Sequence, residues 1–155
     1  MPPETRGGAW WRGVPATLAL SAGAGAIAAL GQAPLLWEPA LFLGIAAAVW
    51  LWGQARTLAR AAWIGWGFGA GYFALALMWI VEPFLIEPER YGWMAPFALV
   101  FMAGGLALFW ALGFALAWRL AKRGVGGVLQ SALAFAAAMG AAELLRAYAF
   151  TGFPW

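Results

Sequence analysis

The segment 62-AWIGWGFGAGYFALALMWIV-81 contains twenty consecutive residues without a charged side chain. At about 1.5 Å of rise per residue, a helix of this length spans the roughly 30 Å hydrocarbon core of a bilayer. The whole chain has the same character, since 65% of its 155 residues are apolar and only 10% are charged. So little polar surface cannot coat a soluble globule. The composition therefore predicts an all-α, polytopic membrane protein.

Four further apolar runs flank this segment, two on each side. The five predicted spans cover about 14–30, 35–52, 62–81, 93–118 and 125–145. The first run follows two arginines, as a secretory signal would, but no Ala-x-Ala site with a polar sequence behind it follows. We therefore interpret it as a retained helix. The fourth run is longer than a bilayer requires, so we expect it to tilt or to project.

The basic residues predict the orientation of these spans. Only Arg90 and Arg146 fall on one predicted side, whereas seven basic residues fall on the other: Arg6, Arg12, Arg56, Arg60, Arg119, Lys122 and Arg123. Because the cytoplasmic side retains the excess of Lys and Arg, residues 1–13 are predicted to be a cytoplasmic tail and 146–155 an outward turn that starts a further segment. The bases are scattered between apolar runs, which argues against nucleic acid as a partner.

Several kinds of site are excluded by residue types that are missing. The sequence contains no Cys, His, Asp or Asn, and all six acids are Glu. Thiolate and imidazole metal sites, disulfides and Ser-His-Asp or Cys-His nucleophilic arrangements therefore cannot be built from this chain. We predict no catalytic residue, no metal ligand and no cofactor within it.

Three ionisable residues are candidates for function. Glu143 and Arg146 are three residues apart near the end of the fifth run, so on a helix they share a face and can pair. The pair is either a local interfacial salt bridge or the polar lining of a lipid-accessible cavity, where the planar guanidinium suits a phospholipid phosphate. Glu82 directly follows the third run and precedes two more acids, Glu87 and Glu89. We interpret these acids as a solvated outward loop, with Glu82 at the membrane boundary.

Small and aromatic residues form two further patterns. Glycines alternate in the third run at 65, 67, 69 and 71, giving two pairs with the four-residue spacing that lets membrane helices approach closely. Packing within the chain is the favoured interpretation over dimerisation. The tryptophans cluster near predicted span ends, as in interfacial aromatic belts. Trp79 and Trp155 are set apart as candidates because they lie beside Glu82 and beside the final Gly-Phe-Pro sequence.

The order of these features resembles the N-terminal membrane domain of the apolipoprotein N-acyltransferase family. The matching features are an Ala33-Pro34 turn after the first span and a Gly-rich third span that runs through Tyr72 to Trp79. The most specific feature is a helix end Glu143-Leu-Leu-Arg146 that leads into 151-TGFPW-155. The resemblance extends over nearly the whole chain, but its strength rests on this last stretch.

The resemblance implies an enzyme of the bacterial cytoplasmic (inner) membrane. It would move an acyl chain from a phospholipid, through a Cys thioester in a nitrilase-like domain, to the amine of a diacylated apolipoprotein. The family uses a Glu, a Lys and that Cys for catalysis, and this chain departs from the pattern because it has no Cys. We therefore expect a membrane-domain fragment that is inactive alone. Its lipid-lining candidates are Glu143, Arg146, Phe153, Pro154 and Trp155, with Tyr72, Trp79 and Glu82 as weaker ones.

An alternative from another class remains open on the residues alone. The chain could be a complete small membrane protein, either half of a transporter or an assembly scaffold that dimerises through the third span. The four-residue glycine spacing favours this alternative. The absence of a detectable internal repeat and of a charge in the middle of a span argues against it.

Overall fold

The computed structural model describes residues 13–123 and 127–149, and these residues are all helical or in turns, without a strand. Within these described residues six α-helices follow one another: α1 (Val14–Ala29), α2 (Glu38–Gly53), α3 (Leu58–Ala76), α4 (Pro88–Tyr91), α5 (Ala95–Arg123) and α6 (Val128–Ala149). Two 3₁₀ segments, Met78–Leu85 and Gly92–Met94, lie on either side of α4. The all-α prediction is confirmed. The predicted tail, apart from Gly13, and the predicted residues Phe153, Pro154 and Trp155 lie outside the described residues.

Helix α3 lies at the centre of the bundle, between α1 and α5, while α2 packs on α1 and α6 packs on α5. Its alternating glycines allow both neighbours to approach. A Cβ on Gly71 would lie 2.0 Å from the carbonyl oxygen of Ala22 in α1, and one on Gly65 would lie 2.6 Å from that of Trp110 in α5. Residues two apart point to opposite sides of a helix, so one alternating series serves two interfaces. Packing within the chain, as expected, uses both glycine pairs.

Indole N–H groups join the helices beyond this small-residue packing. Trp52 donates to the carbonyl oxygen of Phe114 at 3.0 Å, Trp66 to that of Gly104 at 3.1 Å, and Trp118 to that of Ala55 at 2.9 Å. The sequence placed these three tryptophans in interfacial belts. In the structure their N–H groups form interhelical hydrogen bonds, because a buried indole needs an acceptor that lipid does not provide.

The third predicted span differs from the helix that forms. Instead of one helix over 62–81, α3 ends at Ala76 and the chain bends by 45° into the 3₁₀ segment Met78–Leu85. Pro83 lies inside that segment. Proline lacks an N–H and clashes with the carbonyl four residues earlier, which disfavours continuation of the α-helix. Glu82 is exposed on this 3₁₀ segment, and its predicted position at the membrane boundary stays a prediction.

The lengths of the helices bear on the number of membrane crossings. Pro88–Lys122 and α6 are each long and apolar enough to cross a bilayer, and α3 with its bent continuation is a third candidate. Helices α1 and α2 are apolar but have 16 residues each, or about 24 Å at 1.5 Å per residue, less than the roughly 30 Å of a hydrocarbon core. Five crossings and a cytoplasmic N-terminus stay predictions. We call the end of the bundle with turn 30–37 the outer end and the opposite end the inner end.

Candidate functional site

Three side chains from α5 and α6 form a hydrogen-bonded group near the outer end. Arg146 pairs with Glu143 one turn earlier on α6, and its Nε lies 3.1 Å from Oε2 of that carboxylate. Oε1 of the same carboxylate accepts a hydrogen bond from the indole Nε1 of Trp110 on α5. The predicted salt bridge is confirmed. The salt bridge is also hydrogen-bonded to Trp110 of α5. It therefore links two helices in addition to lying near the end of α6.

Aromatic side chains of α3 extend this group towards the first helical hairpin. The guanidinium of Arg146 lies 5.8 Å from the ring centroid of Phe73, a cation–π distance. The ring of Tyr72 lies 5.0 Å from that of Trp110, and its hydroxyl accepts a 2.7 Å hydrogen bond from Nε2 of Gln32. The outer cluster therefore comprises residues from four parts of the fold: Gln32, Tyr72, Phe73, Trp110, Glu143 and Arg146.

An apolar crevice of about 260 Å³ begins at this cluster and continues towards the inner end between α2 and α6. Tyr72 and Trp110 belong to both the crevice and the cluster. The remaining walls are aliphatic or aromatic: Ala28, Leu41, Ile45, Ala48, Val49, Phe68, Phe114, Phe135 and Met139. At its inner end Trp52 of α2 and Phe135 of α6 meet edge to face at 5.2 Å. The two helices therefore touch below the crevice.

The other predicted site residues lie apart from this cluster. Trp79 and Glu82 are exposed on the 3₁₀ segment, and none of the described contacts joins either to Glu143 or Arg146. Phe153, Pro154 and Trp155 lie outside the described residues. The structure thus brings together Tyr72, Glu143 and Arg146 and leaves Trp79 and Glu82 on the surface.

Three members of the cluster, Phe73, Trp110 and Gln32, were not predicted as site residues from the sequence. Trp110 lies in the interior of the longest apolar run, away from its ends, so the belt interpretation does not account for it. The position of Trp110 inside the run indicates that its side chain has a polar partner, because an indole N–H within a span needs an acceptor. Gln32 directly precedes the Ala33-Pro34 turn. Nothing in its local sequence indicates a hydrogen bond to a residue forty positions later.

The outer cluster supplies polar groups that can bind a ligand. It offers a guanidinium, a carboxylate, a phenol and an amide above an apolar crevice. Among the residues that the structure describes, no three His, Cys, Asp or Glu side chains are grouped to hold a metal ion. A guanidinium beside an apolar crevice matches an amphiphile with an anionic head and an acyl chain.

Comparison with known proteins gives a consistent match. Residues 24–155 match the family model described as the apolipoprotein N-acyltransferase N-terminal domain. The chain is similar to proteins named apolipoprotein N-acyltransferase from Caulobacter vibrioides (43% identity over 88% of this chain) and Sinorhizobium fredii (40% over 85%). The one from Rhodopseudomonas palustris is 38% identical over 94% of the chain. In each case the match covers 26% of the relative, so the chain spans about a quarter of the length of these proteins.

Proposed function

The chain belongs to the apolipoprotein N-acyltransferase family, and we propose that it forms the lipid-binding membrane part of an enzyme that acylates lipoproteins. The acyl donor is a phospholipid, and the acceptor is the N-terminal amine of a diacylglyceryl-Cys apolipoprotein. The site of action is the outer face of the bacterial cytoplasmic membrane, in which the chain is a multi-pass protein. Within this activity, the outer cluster and the crevice serve as a vestibule for the lipid.

The observation that carries this proposal is the position of Arg146 beside the apolar crevice. Its guanidinium is held by Glu143 and Phe73, while Trp110, which bonds to the same carboxylate, forms part of the crevice wall. A phospholipid with its phosphate near Arg146 would place the start of an acyl chain beside Tyr72 and Trp110. The planar fork of an arginine recognises a phosphate through two hydrogen bonds, which fixes the head group while the crevice takes apolar surface.

Acyl transfer itself needs groups that these 155 residues do not contain. A thioester step requires a Cys thiolate, and the chain has no Cys. The serines at 21 and 131 have no His to activate them. We therefore expect the chain alone to bind phospholipid without transferring an acyl group.

The test uses the protein encoded by the complete reading frame that contains this chain. Arg146→Ala is expected to lower phospholipid-dependent N-acylation of a lipoprotein by about tenfold or more, since one charge-assisted hydrogen bond contributes about 1.5–3 kcal/mol. The readout is the mass of the lipoprotein's N-terminal peptide at several phospholipid concentrations. The matched control is Arg90→Ala, because Arg90 is also an outer arginine but lies on α4 beside Tyr91, away from the cluster.

Two outcomes would count against the vestibule. Unchanged acylation by Arg146→Ala would remove the lipid-binding role of that arginine, and equal losses in both variants would indicate general surface charge. Because Arg146 also pairs with Glu143, a folding defect must be separated from a binding defect. Arg146→Lys keeps the positive charge but lacks the planar fork. If the Arg146→Lys variant keeps the helical content and the membrane abundance of the wild type, we still expect it to raise the apparent KM for phospholipid.

A further inference from the structure

The inner end of the bundle contains a second cavity, which the proposed acyl transfer does not use. It has a volume of about 430 Å³ and is lined by residues of α1, of α3 and of the connection between α2 and α3: Val14, Thr17, Gln54, Arg56, Thr57, Ala59, Arg60 and Trp63. Ligand pockets of roughly 300–1,000 Å³ hold molecules of head-group size. This cavity is therefore large enough for a phosphate and the glycerol attached to it.

Two arginines, two hydroxyls and the amide of Gln54 supply the polar part of this cavity. Nη2 of Arg60 donates a 2.8 Å hydrogen bond to Oγ1 of Thr17, whose own hydroxyl lies 2.9 Å from the carbonyl oxygen of Gly13. This bond fixes the guanidinium of Arg60 against α1, between the two helices that form the wall. Arg56 is exposed on the connection that precedes α3. The cavity is thus built around two positive charges.

The charges around the cavity are unbalanced. In the part of the chain that the structure describes, all five Glu residues (38, 82, 87, 89 and 143) lie towards the outer end of the bundle, whereas Arg56, Arg60, Arg119 and Lys122 lie at the inner end. A partner with negative charge is therefore favoured at this surface. The apolar members Val14 and Trp63 are about half exposed. These two side chains can contact the hydrocarbon part of a ligand whose anionic group lies beside the arginines.

We propose that this inner cavity binds the phosphate of an anionic glycerophospholipid in the leaflet that faces the inner end. Arg56 and Arg60 contact the phosphate, and Trp63 and Val14 contact the glycerol and the first methylenes of the acyl chains. Basic pockets between membrane helices on the cytoplasmic side are suited to anionic lipid head groups. Such head groups carry the opposite charge and lie at the same depth in the membrane interface as the pocket. A free phosphate ion can bind the two arginines in the same way, but it has no apolar part that could contact Trp63 and Val14.

Lipid titration of the full chain tests this site. The purified chain in a neutral detergent is titrated with phosphatidylglycerol, and bound lipids are counted by native mass spectrometry. In a chain that carries Arg146→Ala to remove the proposed outer phosphate site, Arg56→Gln/Arg60→Gln should raise the Kd of the first phosphatidylglycerol about tenfold or more. Arg119→Gln/Lys122→Gln removes the same charge from the same end without altering the cavity lining, and it should change this Kd by less than about twofold.

Other outcomes would overturn the proposal. Equal weakening by both double variants would mean diffuse attraction to the inner end, and equally tight binding of phosphatidylcholine would mean that the negative charge is not recognised. Displacement of the lipid by millimolar inorganic phosphate would indicate a free-anion site. Circular dichroism checks that helical content is retained. If the double variant loses helix, Arg56→Gln alone decides, because its side chain is exposed, and an unchanged Kd for that variant would also overturn the proposal.

Discussion

Trp110 of α5 donates its indole N–H to the carboxylate of Glu143 on α6, and the same carboxylate holds Arg146. One acceptor group therefore connects an interhelical contact to the cation beside the crevice. The bond also restricts the rotation of α5 relative to α6, because an indole N–H within a bundle needs an acceptor.

The bond of Trp110 predicts a specific loss on substitution. Trp110→Phe retains an aromatic ring but removes the donor, and we expect a loss of about 1 kcal/mol in the free energy of unfolding, a typical value for an interhelical hydrogen bond in a membrane. Trp93→Phe is the matched control, because that indole is 67% exposed. Unfolding of the detergent-solubilised chain followed by circular dichroism provides the measurement. Equal stability of the two variants would contradict the structural role of the bond.

The ion pair predicts non-additive stability changes. Glu143→Gln and Arg146→Gln each remove one charge of the pair and leave the other, whereas the double substitution leaves two neutral amides. We expect each single substitution to lower the free energy of unfolding by more than half of the loss caused by the double substitution. The coupling free energy should be about 1–3 kcal/mol in a double-mutant cycle. Additive effects would mean that the pair is a solvated surface contact.

The glycines of α3 predict where an added methyl group is tolerated. A Cβ at Gly71 would overlap the carbonyl oxygen of Ala22, whereas one at Gly105 of α5 meets nothing within 4 Å. Gly71→Ala should therefore destabilise the bundle by about 1–3 kcal/mol through overpacking. Gly105→Ala should be neutral or slightly stabilising, because alanine is the better helix former. Thermal unfolding of both variants measures the difference, and equal midpoints would argue against close packing of α1 on α3.

The crevice predicts a steric effect on lipid binding. Ile45 of α2 lines it, and Leu43 on the same helix does not. Ile45→Trp should fill part of the 260 Å³ and weaken binding of a phospholipid carrying a photoreactive acyl chain by several-fold. Leu43→Trp, at a position 63% exposed, should not.

Crosslinking yield and the crosslinked peptides provide the readout for this pair of variants. In the wild-type chain the label should appear on peptides from α2 and α6, the two helices that flank the crevice. Labelling spread evenly over the exposed helix faces would contradict a defined acyl-chain site.

Composition and local spacing determined the helical class, the approximate position of each long helix and the Glu143–Arg146 pair. These features depend on residues close together in the chain, where the 3.6-residue period and the length of an apolar run are sufficient. The acyltransferase signature at 143–155 is also a local pattern. Its resemblance to the family does not depend on how the helices pack.

Tertiary structure alone decided how distant residues meet. The hydrogen bond of Gln32 to Tyr72, the bond of Trp110 to Glu143 and the crevice between α2 and α6 all depend on the order in which helices pack. In a membrane, a side chain that faces lipid and one that faces another helix can both be apolar, so composition does not distinguish them. Which helices pack against each other depends on the small residues that allow close approach and on the few polar groups that need a partner. These contacts placed Arg146 beside an apolar crevice.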